Sequence, residues 1–207
     1  MTIIQAVKTR IMDIDMGYSQ ADKAQSRERI LAKAAEQIRD TGLESISVGK
    51  LMRSVDLTHG GFYGHFASRS DLLAQALERA LEDGATTAKL ATDPTKPPTY
   101  AGVVRSYLSR NHRDSRKTGC ALAALSSDVA RADEHSRAVM EAYIERFVAK
   151  VADVMEKEDD QDALLAVSAM IGGLLVSRMM TDPKRSDEVL RSVRNALMAL
   201  QDEGKAT

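Results

Sequence analysis

The densest run of groups able to grip a polyanion lies between Thr58 and Arg69, in "THGGFYGHFASR". This stretch carries two hydroxyls, two imidazoles, a phenol and a guanidinium, interleaved with Gly60, Gly61 and Gly64. Each glycine costs a helix about 1 kcal/mol relative to alanine, so a helical segment that keeps three of them needs a reason. Glycine lets a backbone come close to a neighbouring wall. Phe62 and Phe66, four residues apart, can pin one face to a core, which leaves His59, Tyr63, His65 and Arg69 to donate to phosphates or base edges. Thr58 occupies an N-cap position, and the amides at such a helix start bind phosphate readily. Two readings stand on these residues alone: a segment built to recognise nucleic acid, and a poor helix tolerated in a small core with Tyr63 half buried.

Other chemistries lack their residues. No nucleophile stands with a base, no pair of carboxylates is placed for acid–base work, and no cofactor loop is recognisable. "THGGFYG" lacks the Lys-Ser/Thr that completes a phosphate-binding loop. His59, His65, His112 and His135 have no clustered metal-ligand spacing. The chain therefore reads as no enzyme, with no metal and no cofactor. Its one cysteine, Cys120, excludes an internal disulfide and suits a reducing cytosol. Two readings of Cys120 stay open. At a helix N-terminus after Arg116 and Lys117 its pKa would fall and its reactivity rise; alternatively it is a buried, inert thiol.

The elements that must position these groups are helices. Four prolines in 207 residues, with long stretches of Ala, Leu, Glu, Lys and Arg, point to an all-α protein. Ile30, Leu31, Ala34, Ala35 and Ile38 share one face of a helix from Ser26 to about Asp40, ended by Gly42. Ser47 caps a short helix with Val48, Leu51, Met52 and Val55 inward. A turn at Asp56-Leu57 leads to a helix from His59 to Phe66. Ser68 and Asp71 form a capping box for the next helix, which runs to Gly84. "TDPTKPP" (Thr92–Pro98) is a linker. Beyond it lie helices over Thr99–Arg110, Cys120–Arg131, Asp133–Glu156, Asp159–Met180 and Ser186–Leu200, with Arg110–Lys117 a solvated basic helix end. The layout is an N-terminal arm over 1–20, a helix-turn-helix head over 21–70 and a helical body over 71–207. Residues 1–15, before Met16, receive no function.

No signal peptide is visible, and "ALLAVSAMIGGLLV" is too short to cross a bilayer comfortably, so it reads as a buried helix of a cytoplasmic protein with no membrane partner. Net charge is −1, and from Gln20 to Ser70 eight Lys/Arg face six Asp/Glu. Affinity for DNA would then rest on a few placed contacts, with Lys23, Arg27 and Arg29 following the backbone. In a helix-turn-helix the second helix enters the major groove while the first crosses the backbone.

"RERILAKAAEQIRDTGLESISVGKLMRSVDLTHGGFYGHFASRSDLL" (Arg27–Leu73) resembles the DNA-binding head of the tetracycline-repressor family of bacterial regulators. The carriers are the Ile-Leu-x-x-Ala-Ala helix, the glycine after it, "LTHGGFYGHF" and "SRSDLL". The resemblance implies a homodimer that binds a palindromic double-stranded DNA operator, as a repressor released by a small-molecule effector. It places Thr58, His59, Gly60, Gly61, Tyr63 and His65 at DNA-facing positions, and Ser47 and Arg69 at phosphate contacts; Lys50 and Arg53 are weaker candidates. Asp56 departs from the usual turn glycine, and Gly61 from a common threonine. "KTGCALAALSSDVAR" resembles a Gly-Cys subset of the family, some of which sense electrophiles or oxidants.

The same resemblance implies a four-helix dimer interface from the last two helices. Ala166, Ala169, Gly172 and Gly173 would allow close approach there, beside a seam of Leu190, Val193, Leu197 and Leu200. An effector pocket among the middle helices would draw on Tyr100, Val104, Tyr107, Leu108, Cys120, Leu125, Met140, Tyr143, Phe147 and Met170, each also readable as plain core. The rivals are an activator of the same fold and a helical protein–protein adaptor that does not bind DNA.

Overall fold

The computed structural model describes residues 3–90, 97–115, 119–156 and 159–203. Among these residues it is helical, with no strand. Helix α1 runs Ile3–Thr41, so the helix expected from Ser26 is the end of a longer one. Gly42 follows at φ 91°, in the left-handed region that the helix stop requires. A 3-10 turn at Leu43–Ser45, not foreseen in the sequence, leads into α2, Val48–Ser54. Ser47 holds the N-cap position of α2, but its hydroxyl makes no capping bond.

Helix α3 spans Arg69–Leu90 and continues past Gly84 into the body. Its start is stitched as the capping box requires, with one shift. The Asp71 amide donates to Ser68 Oγ at 3.0 Å, while the Asp71 carboxylate accepts from the Ala67 amide at 2.9 Å. That hydrogen bond holds the Asp71 carboxyl below its usual range. Most of the linker, residues 92–96, lies outside the described residues.

The body opens with α4, Tyr100–Tyr107, capped by Thr99, and α5, Arg110–Asp114, capped by Ser109. The segment expected as one helix to Arg110 breaks because Ser109 Oγ accepts from the His112 amide and starts a new turn. Then come α6, Ala121–Val129; α7, Glu134–Met155; α8, Gln161–Met179; and α9, Pro183–Glu203. Asp133 caps α7, and Glu156 ends it in the left-handed conformation.

One apolar core runs through head and body. In the head, Ile30, Ala34, Ala35 and Ile38 of α1 are buried with Leu51, Met52, Phe62, Phe66, Leu72 and Leu77. An ion ladder ties α1 to α3 above it: Arg79 pairs with Glu28 and with Asp83, and the nearly buried Arg39 pairs with Asp83 at 3.4 Å. In the body, Tyr100 is fully buried and its hydroxyl donates to the Leu197 carbonyl at 3.1 Å, joining α4 to α9.

The sequence reading of α8 as a buried helix needs correction. Ala163, Ala166, Val167, Met170 and Leu174 face inward, but Leu164, Leu165, Val176 and Met179 are exposed, Leu165 at 54% and Met179 at 64%. By length and composition α8 could also span a bilayer; in the fold its inner face packs on α6, α7 and α9. The basic segment after α4 is not simply solvated either. Arg113 is largely buried and bonds Asp114, Asp187 and Ser186, and Arg110 makes a two-armed pair with Asp187. These bonds hold the Asp114 and Asp187 carboxyls below their usual range.

Candidate nucleic-acid interface

The turn between α2 and the next helix depends on Asp56, which adopts φ 59°. Aspartate tolerates this left-handed geometry better than most residues, so the turn closes without the glycine expected there. The Asp56 and Leu57 amides donate to the Arg53 and Met52 carbonyls at 3.2 and 2.9 Å.

The glycine-rich helix is a 3-10 helix over His59–Gly64, shorter and tighter than the α-helix to Phe66 expected from spacing. The reason is local. Fixing a first α turn is costly, and Gly60, Gly61 and Gly64 lower the return. Thr58 Oγ1 accepts from the Gly61 amide at 3.3 Å and caps the turn. Phe62 and Phe66 are buried with their rings stacked 5.6 Å apart, and Tyr63 stands edge-on to Phe62 at 5.2 Å.

This anchoring turns the other face outward. Tyr63 is 70% exposed, and Thr58, His59, Gly60, Gly61 and Gly64 are exposed beside it. A Cβ on Gly60 or Gly64 would meet nothing within 4 Å, so the bareness of these positions serves no contact inside the chain. Ser47 and Lys50 are exposed on the first turn of α2, and the His59 ring lies close to Gly49 in that same turn. One surface therefore joins the start of α2 to the glycine-rich turn.

Three expected phosphate-facing cations have other tasks. Arg69 donates to the Glu44 carboxylate at 2.9 Å and to the Ile46 carbonyl at 3.3 Å, fastening the start of α3 to the loop before α2. Arg27 lies over the Phe66 ring at 5.3 Å and bonds Gln75. Arg29 donates to the Val55 carbonyl and Ser26 Oγ. His65 is half-buried, with Nδ1 shielded and unpartnered. Burial, then the charges of Lys23 and Arg27, lower its pKa, so the ring is neutral at pH 7. Gln75 had no sequence signal beyond its place on α3.

The expected effector residues form core. Val104, Leu108, Leu125, Met140 and Met170 are buried, as are Tyr100 and Cys120, and Tyr143 and Phe147 pack at the margin. None of them lines either of two surface concavities, one of about 270 Å³ between α3 and α7 and one of about 190 Å³ where α5 meets the α8–α9 corner. The middle helices do hold one polar knot. The Tyr107 hydroxyl and Cys120 Sγ are 3.0 Å apart, the Ala123 amide donates to the same sulfur at 3.4 Å, and His112 Nδ1 is 2.7 Å from the Tyr107 carbonyl oxygen. Tyr107 stacks on Phe147 and meets His112 edge-on. Burial pushes the Cys120 thiol up, against the lowering from Tyr107 and Ala123. Of the two readings left open for Cys120, its burial agrees with the neutral, buried thiol and not with the activated one; Arg116 and Lys117 lie outside the described residues.

The expected dimer seam is also redrawn. Ala166, Gly173, Leu190 and Leu197 are buried within the chain, and Val193 packs against Gly173. Ala169 and Leu200 are half-buried. Gly172 has nothing within 4 Å of an added Cβ. Sequence spacing shows that a helix has a seam but not which helix the seam meets.

Comparison with known proteins agrees with the geometry. Residues 30–76 match the model of bacterial regulatory proteins, tetR family. Uncharacterized HTH-type transcriptional regulators from two strains of Mycobacterium tuberculosis are 27% identical, over 84% of this chain and 94% of theirs. Among solved structures, Escherichia coli NemR in its reduced form superposes with a TM-score of 0.68 at 20% identity, covering 84% of this chain and 95% of that one. A tetR-family regulator from Cytophaga hutchinsonii gives 0.71 at 18% identity, covering 86% and 96%. At these identities the structures speak to the fold.

Proposed function

We propose that this chain, whose residues 30–76 match the model of bacterial regulatory proteins, tetR family, is a cytoplasmic repressor that binds a palindromic operator as a homodimer and leaves it when a small molecule binds the body. The observation that carries the DNA-binding part is the exposure of Tyr63 and its bare glycine neighbours on a turn pinned from behind by Phe62 and Phe66. An exposed aromatic of that size on a rigid mount is built to meet a partner. Ser47, Lys50, Thr58, His59 and Tyr63 would contact the duplex, and Gly60 and Gly61 would admit the sugar-phosphate wall.

A twofold pair follows from the form of the target, since palindromic half-sites lie roughly 34 Å apart. The uncovered outer face of α8, with Leu164, Leu165, Gly172, Val176 and Met179, is the surface that supports it. The effector would act at the Tyr107–Cys120 knot, where one thiol both meets a phenol and caps α6. An electrophile that alkylated Cys120 would break both contacts, but it would have to wait for the knot to open.

The test is a mobility shift with the DNA beside the chain's own gene. Binding by wild type that falls with rising salt and disappears in Tyr63→Ala supports the reading. A folded protein that shifts no DNA, or a Tyr63→Ala variant that binds as wild type does, removes it.

A further inference from the structure

The corner between α6 and α7 reaches the head at two points, one on each side of the helix-turn-helix in the chain. At the end of α6, Asp128 Oδ2 accepts from the Leu43 amide at 2.9 Å, across 85 positions of sequence. Its other oxygen, Oδ1, accepts from Arg131 at 3.2 Å. At the start of α7, Asp133 Oδ2 accepts from Ser70 Oγ at 2.7 Å, while Oδ1 caps α7 through the Ser136 amide at 2.8 Å. Leu43 opens the loop that delivers α2, and Ser70 stands in the first turn of α3, just after the glycine-rich helix. The two carboxylates thus bracket residues 46–66 from the body side.

Gly42 completes the fit. Its φ of 91° suits glycine, and a Cβ there would lie 2.6 Å from Asp128 Oδ2. The carboxylate therefore sits where no other residue type would let it sit. Around it the loop is held to itself: Ser45 Oγ and the Ser45 amide both donate to the Gly42 carbonyl, and Gln37 donates to the Ser45 carbonyl. A stiff loop bound to a carboxylate passes the position of α6 to α2 with little slack. At the far end of the same nine-residue helix, Cys120 Sγ caps the Ala123 amide beside Tyr107.

We propose that Asp128, closing on the Gly42–Leu43 backbone, and Asp133, closing on Ser70, are positioning residues that fix the angle of the DNA-binding head on the body. Neither touches DNA. They act through the two stems of the helix-turn-helix, one at the loop before α2 and one at the start of α3. The consequence for DNA affinity rests on the DNA-binding reading above; the head angle itself does not.

Two measurements separate these. Spin labels on Arg53→Cys and Glu145→Cys in a Cys120→Ala chain, diluted into unlabelled partner, report the head–body distance without DNA. The expected result is one narrow distance that broadens in Asp128→Ala, broadens further in Asp128→Ala with Ser70→Ala, and narrows again in Asp128→Asn, whose carbonyl oxygen still accepts from Leu43. On the fragment beside the chain's own gene, Asp128→Ala weakens binding about tenfold and Asp128→Asn restores it. Gly42→Ala weakens binding more in the wild-type background than in Asp128→Ala, because the clash is gone once the carboxylate is gone. Equal distance distributions in wild type and Asp128→Ala overturn the proposal, as does Asp128→Asn behaving like Asp128→Ala. If wild type binds no DNA yet the labels respond, the clamp stands and the DNA-binding reading falls. Circular dichroism of each variant guards against a folding defect.

Discussion

Gly173 of α8 lies against Val193 of α9 so closely that a Cβ on the glycine would sit 3.1 to 3.2 Å from three atoms of the valine side chain. Its neighbour Gly172 faces open space. Two adjacent glycines on one helix thus have opposite duties: one brings α9 in, the other leaves the outer face low.

Substitution should separate those duties. Gly173→Ala cannot be relieved by rotating Val193, because the valine Cβ itself is among the close atoms. Overpacking of this kind costs about 1–3 kcal/mol, more than the roughly 1 kcal/mol that alanine returns in helix propensity. Gly172→Ala returns the propensity without the clash. Urea unfolding should show Gly173→Ala less stable than wild type and Gly172→Ala at least as stable. The reverse order would refute the packing described for α8 on α9.

The exposed side of α8 makes a second, independent prediction. Leu165→Glu should leave the monomer fold intact, since the side chain is already half in solvent, but place a charge in any twofold contact on that face. Light scattering on eluted protein should find wild type as a dimer and Leu165→Glu shifted towards monomer. A variant dimer as tight as wild type would mean that another face carries the pair.

Much of the head was legible because its constraints are local. Gly42 after an apolar helix, Ser68 with Asp71, and Phe62 with Phe66 each announce a turn, a cap or an anchor within a few residues. Asp56 was legible as a left-handed position only through the resemblance, which puts a glycine there. The body was less so. The seam Leu190–Val193–Leu197 is real, but whether it meets α8 of the same chain or a partner depends on contacts no periodicity encodes. Cys120 stayed open for the same reason: a helix start alone allows a low pKa, whereas burial in the fold pushes the thiol up, against the lowering from Tyr107.

Tyr63 and Phe62 adjoin in sequence and should differ wholly in effect. Phe62→Ala removes a fully buried ring and should cost about 3–5 kcal/mol. Tyr63→Ala removes an exposed one and should change stability by about 0.5 kcal/mol or less, while weakening DNA binding at least about tenfold. Thermal melts paired with fluorescence anisotropy decide it. A large stability loss in Tyr63→Ala would show the ring to be core.

Acidification should destabilise the body through His112. Burial, the largest influence, and Arg178 lower its pKa below the ordinary 6.5, although the Tyr107 carbonyl oxygen raises it in part. A histidine whose folded pKa is depressed binds its proton more readily once unfolded, so stability rises with pH across the interval between the two values. The contribution is present above about pH 6.5 and is lost as pH falls through 6.5 towards the depressed folded value. His65 shares the sign, its pKa lowered first by burial. His112→Asn keeps a donor for the Tyr107 carbonyl and removes the titration. Urea midpoints at pH 7.5 and pH 5.5 should therefore differ less in His112→Asn than in wild type. An identical pH dependence in both would place the acid sensitivity elsewhere, with the carboxylates Asp71, Asp114, Asp133 and Asp187 unable to supply it, since their pKa values are lowered from 3.8 and they titrate below this range.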